Sequence, residues 1–161
     1  MNVRQTIESA FENVGYPGDV NIIKCSCPIC RHIVDDFRGT TWRNQNLEAL
    51  RKHQIAISLF THEAFQYFLP AFMIHSLGAW GDTYLIPFLI TKQFLPLRPA
   101  ENAARQAHHA KRTALFSSPQ RSSIIAYLRE YAASGTAPVG DDIACAIANI
   151  ENAPPAKSPQ R

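Results

Sequence analysis

Between residues 64 and 77 the chain offers water no face of a helical wheel. Phe65, Tyr67, Phe68, Leu69, Ala71, Phe72, Met73 and Ile74 are interrupted only by Gln66, Pro70, His75 and Ser76. A helix apolar on all sides is stable only when buried on all sides, so the rest of the chain must supply a shell around it. Thr61 is placed to cap its start, and Glu63 in the first turn suits the positive end of the helix dipole. Pro70 removes one backbone donor and frees the carbonyl of Gln66, which predicts a kink. A second apolar run, residues 84–90, follows after a polar interval containing Gly78, Gly81 and Asp82. Each run is shorter than the roughly 20 residues a membrane span requires. The pair therefore predicts a two-helix hydrophobic core and no membrane insertion.

The shell is legible as further helices. Val3, Ile7, Ala10, Phe11 and Val14 recur at helical spacing before the turn formers of residues 15–19. Val20, Asn21, Ile22 and Ile23 have no later strand to pair with and read as an extended connection. A short helix starts at Pro28 and runs through Cys30, Ile33, Val34 and Phe37 to Gly39. One amphipathic helix is expected with Leu47, Leu50, Gln54 and Ile57 opposite Glu48, Arg51 and Lys52. After the proline-containing connection 95–102, helices are expected over 103–115, from Ser118 as N-cap with Pro119 at the first position to near Gly135, and from Asp141 or Asp142 through Ile150. The fold class is thus all-α. It comprises a single compact multi-helix domain over residues 1–152 with a buried, proline-kinked central helix, and a polar, proline-rich tail over 153–161 that is expected to be disordered.

A chain of 161 residues buries about two-thirds of its unfolded surface, so its four cysteines are not needed as a disulfide framework. The first eight residues lack the apolar run of a signal peptide, and the expected compartment is the cytoplasm, where thiols stay reduced. Three of those cysteines and a histidine fall together in Cys25-Ser26-Cys27-Pro28-Ile29-Cys30-Arg31-His32. Cys25, Cys27, Cys30 and His32 form the ligand set of a structural zinc site. Their spacing is tight, since zinc sites usually draw two ligands from each of two separate segments, and Cys145, His53 or His62 would relax it as the fourth ligand. Cys27 and Cys30 also have dithiol redox spacing, with the helix start at Pro28 lowering the Cys27 pKa, but the strands of a βαβ redox fold are missing. The plainer alternative is reduced cysteines packed as small hydrophobes.

The remaining candidates are weaker. His62-Glu63 begins the H-E-x-x-H pattern, but Gln66 stands where the second histidine belongs, leaving His62 as an exposed residue and Glu63 as a dipole partner. His75 reads as a hydrogen-bonded core histidine. Residues 98–129 carry Arg98, Arg105, Lys111, Arg112, Arg121 and Arg129 against Glu101 alone, whereas acids and bases balance before them. Arg105, Lys111 and Arg112 are the candidate nucleic-acid contacts, and His108-His109 beside them are suited to phosphate. Without interleaved aromatics, a solvated helix face is favoured over nucleic acid. Glu8 with Glu12, and Asp35 with Asp36, read as surface charge without identifiable partners. No nucleophile elbow, P-loop or dinucleotide glycine fingerprint is present.

The segment Thr61-His62-Glu63-Ala64-Phe65-Gln66-Tyr67-Phe68-Leu69-Pro70-Ala71-Phe72 resembles the T-x-E-A-F-x-Y-F-L-P-A-F signature of an uncharacterised family of small bacterial proteins, a domain of unknown function. Ile7-Glu8-Ser9-Ala10-Phe11, the Cys27-x-x-Cys30 pair, Phe37-Arg38-Gly39 and Trp42 extend the likeness over the first half of the chain, while Cys25 and His32 fall outside the pattern. The resemblance implies a bacterial source and a mostly helical fold, and brings no activity, cofactor or catalytic residue. The first functional expectation is a non-enzymatic binding protein that occludes a protein partner, such as a toxin or effector, as an immunity protein or antitoxin would. It rests on a well-formed core, charged faces and the lack of a catalytic constellation. The alternatives are a small zinc-binding or thiol-dependent protein built on the loop from Cys25 to His32, and nucleic-acid binding through residues 98–129.

Overall fold

The structure is a computed structural model and describes residues 1–154 apart from Tyr84. Among the described residues there are nine α-helices and no strand. They are α1 (Val3–Ala10), α2 (Pro28–Phe37), α3 (Leu47–Lys52), α4 (Ala56–Leu59), α5 (His62–Ser76), α6 (Leu85–Phe94), α7 (Ala103–Ala114), α8 (Ser118–Ala133) and α9 (Asp142–Asn152), with short 3-10 turns at Asp19–Asn21 and Trp42–Asn44. None is long and apolar enough to cross a membrane. The tail expected to be disordered lies, from residue 155 onward, outside the described residues. Before that point Arg121 donates to the carbonyls of Ala153 and Pro154.

The all-apolar segment forms α5 and sits at the centre. Phe65, Phe68, Phe72 and Met73 are fully enclosed, and Pro70 is buried inside the helix. α1, α3, α6 and the Trp42–Asn44 turn pack against α5, and α8 lies across α1, α6 and α9. α2 contributes Phe37, whose ring stands edge-on to Phe68 at 4.9 Å and Phe60 at 5.2 Å between centroids. Such edge-to-face pairs add to the free energy of area burial. Polar side chains toward the C-terminal end of α5 find partners on neighbouring elements, whereas Nδ1 of His62 in its first turn is buried without one. Ser76 Oγ hydrogen-bonds Tyr127 at 2.7 Å across to α8, and His75 Nε2 lies 2.8 Å from the carbonyl of Gln45.

Thr61 caps α5 as its sequence position predicts, its Oγ1 accepting from the amide of Ala64 at 3.1 Å. The same hydroxyl donates to the carbonyl of Asn21 at 2.6 Å, and the Thr61 amide donates to that of Ile22 at 3.0 Å. One residue thus fastens the start of the core helix to the segment preceding the cysteines.

Several boundaries differ from expectation. The first helix stops at Ala10, although Phe11 is still buried beyond it. The supposed extended connection opens with a 3-10 turn at Asp19–Asn21. The single amphipathic helix predicted over residues 47–57 is divided into α3 and α4. The break falls at His53, which is buried beside Phe37 and lies 2.5 Å from Asp36 of α2. Ser117 rather than Ser118 caps α8, because Gln120 then occupies the position that completes a capping box.

Phe37→Ala is expected to destabilise the protein by about 3–5 kcal/mol, and Thr61→Ala by about 1–2 kcal/mol through the lost cap. Urea denaturation of each variant checks both values.

Candidate metal centre

Ile22 and Ile23 are buried, the chain then emerges over residues 24–29, and Cys30 returns to the core at 2 % exposure. Pro28 opens α2 and Cys27 stands at its N-cap in an extended conformation, which bends the three cysteines toward one another. The sulfur atoms of Cys25, Cys27 and Cys30 all lie within 4.8 Å of each other. Among the described residues this is the one group of three or more metal-ligating side chains at such spacing. The Cys27 amide donates to Cys25 Sγ at 3.4 Å.

The thiols are not equivalent. The adjacent Cys30 amide, followed by the Cys25 and Cys30 thiols, stabilises the Cys27 thiolate and draws its pKa down to about 7. Burial, reinforced by the two neighbouring sulfurs, pushes Cys30 up to about 12. At neutral pH the exposed Cys27 thiol is thus partly ionised, whereas buried Cys30 keeps its proton.

His32 does not join the group. It is exposed on α2 two positions after Cys30, and two helical residues are separated by about 200° around the axis. The four-ligand set expected from the sequence is thereby reduced to three cysteines. Cys145 is free and exposed on α9, outside the group. His53 is held by Asp36, whose carboxyl is shifted below its ordinary range by Lys52 at 2.9 Å and then by His53. The Asp35 and Asp36 pair, read as lacking partners, is thus engaged, with Asp35 lying 3.6 Å from Arg38.

The histidine and arginine candidates of α7 are also redistributed. His62 is half-buried rather than exposed, its ring packing on that of His108 with centroids 4.3 Å apart. Burial, then the positive neighbours His108, Arg112 and Lys111, lower its pKa to about 4. Arg105 and Lys111 are exposed, and Arg105 pairs with Glu101 at 2.7 Å. Arg112, expected as a surface contact for nucleic acid, is buried at 4 % exposure. Its guanidinium lies over the Phe65 ring at 4.7 Å and donates to Gln93 Oε1 at 2.6 Å and to the carbonyl of Phe60. Hydrophobic periodicity does not register a buried cation, so α7 gave no sequence signal of its inward face beyond the helix itself.

The fold and site define an all-helical protein with a three-cysteine knuckle at a helix start. Residues 30–149 match a family of unknown function (DUF6714), and the chain belongs to that family. The match reaches into α9, well past the first half of the chain, and begins at Cys30, so Cys25 and Cys27 precede it. No curated protein and no solved structure matches the chain.

Alkylation followed by peptide mapping is expected to modify Cys27 fastest, with a midpoint near pH 7, and to leave Cys30 protected until unfolding. Acid sensitivity is expected at His62. Its folded pKa of about 4 lies below the ordinary 6.5, so the unfolded chain binds the additional proton. That contribution to stability is complete above about pH 6.5 and is lost as the pH falls toward 4. Thermal scans across this window should show a smaller loss for His62→Gln than for the unmodified protein.

Proposed function

We propose that this protein binds zinc through Cys25, Cys27 and Cys30, with the fourth coordination position open to solvent. The observation that carries the reading is the convergence of three sulfur atoms within 4.8 Å on a loop of six residues. Soft thiolates select zinc over hard cations such as magnesium or calcium, and Zn²⁺ accepts the tetrahedral geometry that three ligands from one knuckle leave incomplete. Cys27 supplies the first thiolate at neutral pH, and the cation replaces the proton of buried Cys30. Three protein ligands plus one exchangeable position is the coordination of a reactive or relay site; closed structural sites take four. The thiol-redox alternative has less support, because the helical surroundings differ from the βαβ setting of dithiol oxidoreductases. Occlusion of a protein partner rested on the lack of a catalytic constellation, and the cysteine geometry is a more specific observation.

The closeness of the ligands in sequence has a thermodynamic consequence. An ion that binds only the folded state stabilises it, but binding to the unfolded chain reduces the effect. Here the unfolded segment keeps all three thiols within six residues, so zinc contributes little to global stability.

Protein purified without chelator is expected to carry one zinc per chain, and cobalt substitution should give thiolate charge-transfer absorption with tetrahedral d–d bands. Cys27→Ser should weaken metal binding by at least about tenfold. Chelation should leave the helical circular dichroism unchanged and shift Tm by only about 2–4 °C, the equivalent of about 1 kcal/mol for a chain of this size. Background metal content together with featureless cobalt spectra would refute the reading.

A further inference from the structure

Away from the cysteines, α6 and α7 border a cavity of about 510 Å³ whose wall includes Lys92, Gln93, Arg105, His108, His109 and Arg112. Among the described residues, no carboxylate lines it. Arg112 is the unusual member. Its hydrogen-bond acceptors are the carbonyls of Ile57 and Phe60 and the side-chain oxygen of Gln93, all uncharged. None of the ion pairs among the described residues includes it. Its Nε is buried without a partner, as is Nε2 of the neighbouring His109.

A buried cation without a counter-charge is costly, and proteins ordinarily pair such groups. Two of the lining cations are paired with carboxylates from outside the lining, Arg105 with Glu101 and Lys92 with Asp142, each at 2.7 Å. Both pairs are solvent-exposed, so an incoming anion displaces them at little cost. The first turn of α7 also reaches the cavity through Asn102, Ala104 and Arg105, adding the positive end of a twelve-residue helix.

We propose that this cavity binds a small free phosphate ester, with Arg112 as the buried counter-charge and Lys92, Arg105 and His108 gripping the phosphoryl oxygens at the rim. A phosphoryl dianion matches several convergent cationic donors better than a single carboxylate does. The volume falls within the range of small-molecule sites. The depth of Arg112 selects a free ester over the backbone of a nucleic acid, whose phosphates stay outside on the strand. This inference is independent of the zinc site, since no residue is shared.

Calorimetric titration of the full chain at low salt, with inorganic phosphate, ribose 5-phosphate and a single-stranded oligonucleotide as probes, tests the proposal. Saturable binding of ribose 5-phosphate is expected, reduced at least about tenfold in Arg105→Gln and further in the Lys92→Gln, Arg105→Gln double variant. Arg112→Met should abolish binding and the thermal stabilisation that the ester gives the unmodified protein. Should that variant not fold, the two rim substitutions, both at exposed positions, decide the question. Absence of saturable binding at millimolar ester would overturn the proposal. So would affinity indifferent to the rim substitutions, or an oligonucleotide that binds more tightly than the ester with steep salt dependence.

Discussion

Enclosure of α5 on every side is the constraint from which the other elements take their places. A helix with no polar face cannot lie on a surface, so α1, α3, α6 and the Trp42–Asn44 turn are arranged around it and α8 covers the layer behind. Its few polar groups have to be answered within the protein. Ser76 meets Tyr127, Gln66 donates to the carbonyl of Leu115 and to Gln120, and His75 meets the backbone of Gln45. Each such contact fixes a register between α5 and a neighbour, which apolar packing alone specifies less sharply. Phe37 adds an aromatic lock from α2, meeting the rings of Phe60, just before α5, and of Phe68 and Phe72 within it.

Thr61 transmits this order to the chemistry. Through its hydroxyl and amide it holds the carbonyls of Asn21 and Ile22, and the burial of Ile22 and Ile23 leaves the next residues no course but outward. Pro28 then starts α2 at a defined point and returns the chain to the core at Cys30. The gathering of the three sulfurs is accordingly a product of core packing at both ends of a short loop. Further along, the same core surrounds Arg112, which reaches inward over Phe65 beside buried Thr113 while Lys111 faces solvent.

The central helix, its Thr61 cap and the start of α2 at Pro28 could be read from the sequence because each depends on local pattern: an unbroken apolar wheel, a capping residue, a proline in a first turn. The split between α3 and α4 could not. Leu47, Leu50 and Ile57 keep helical spacing throughout, and the break depends on the meeting of His53 with Asp36, seventeen positions earlier. The site was partly legible for the same reason. Three cysteines in six residues announce themselves, whereas the exclusion of His32 depends on where the helix points it. Arg112 was misread as a surface charge because its burial follows from the packing of α7 against the core, and composition ranks every arginine alike.

Cys30 belongs at once to the hydrophobic core and to the sulfur group, while Cys25 and Cys27 stand outside in solvent. The three positions therefore answer to different demands. Loss of the two outer sulfurs leaves every core contact in place, but any residue that replaces the inner one must also fill its volume. The loop is an accessory that can be lost from the outside inward, and the point where the chemistry ends and the architecture begins is a single side chain.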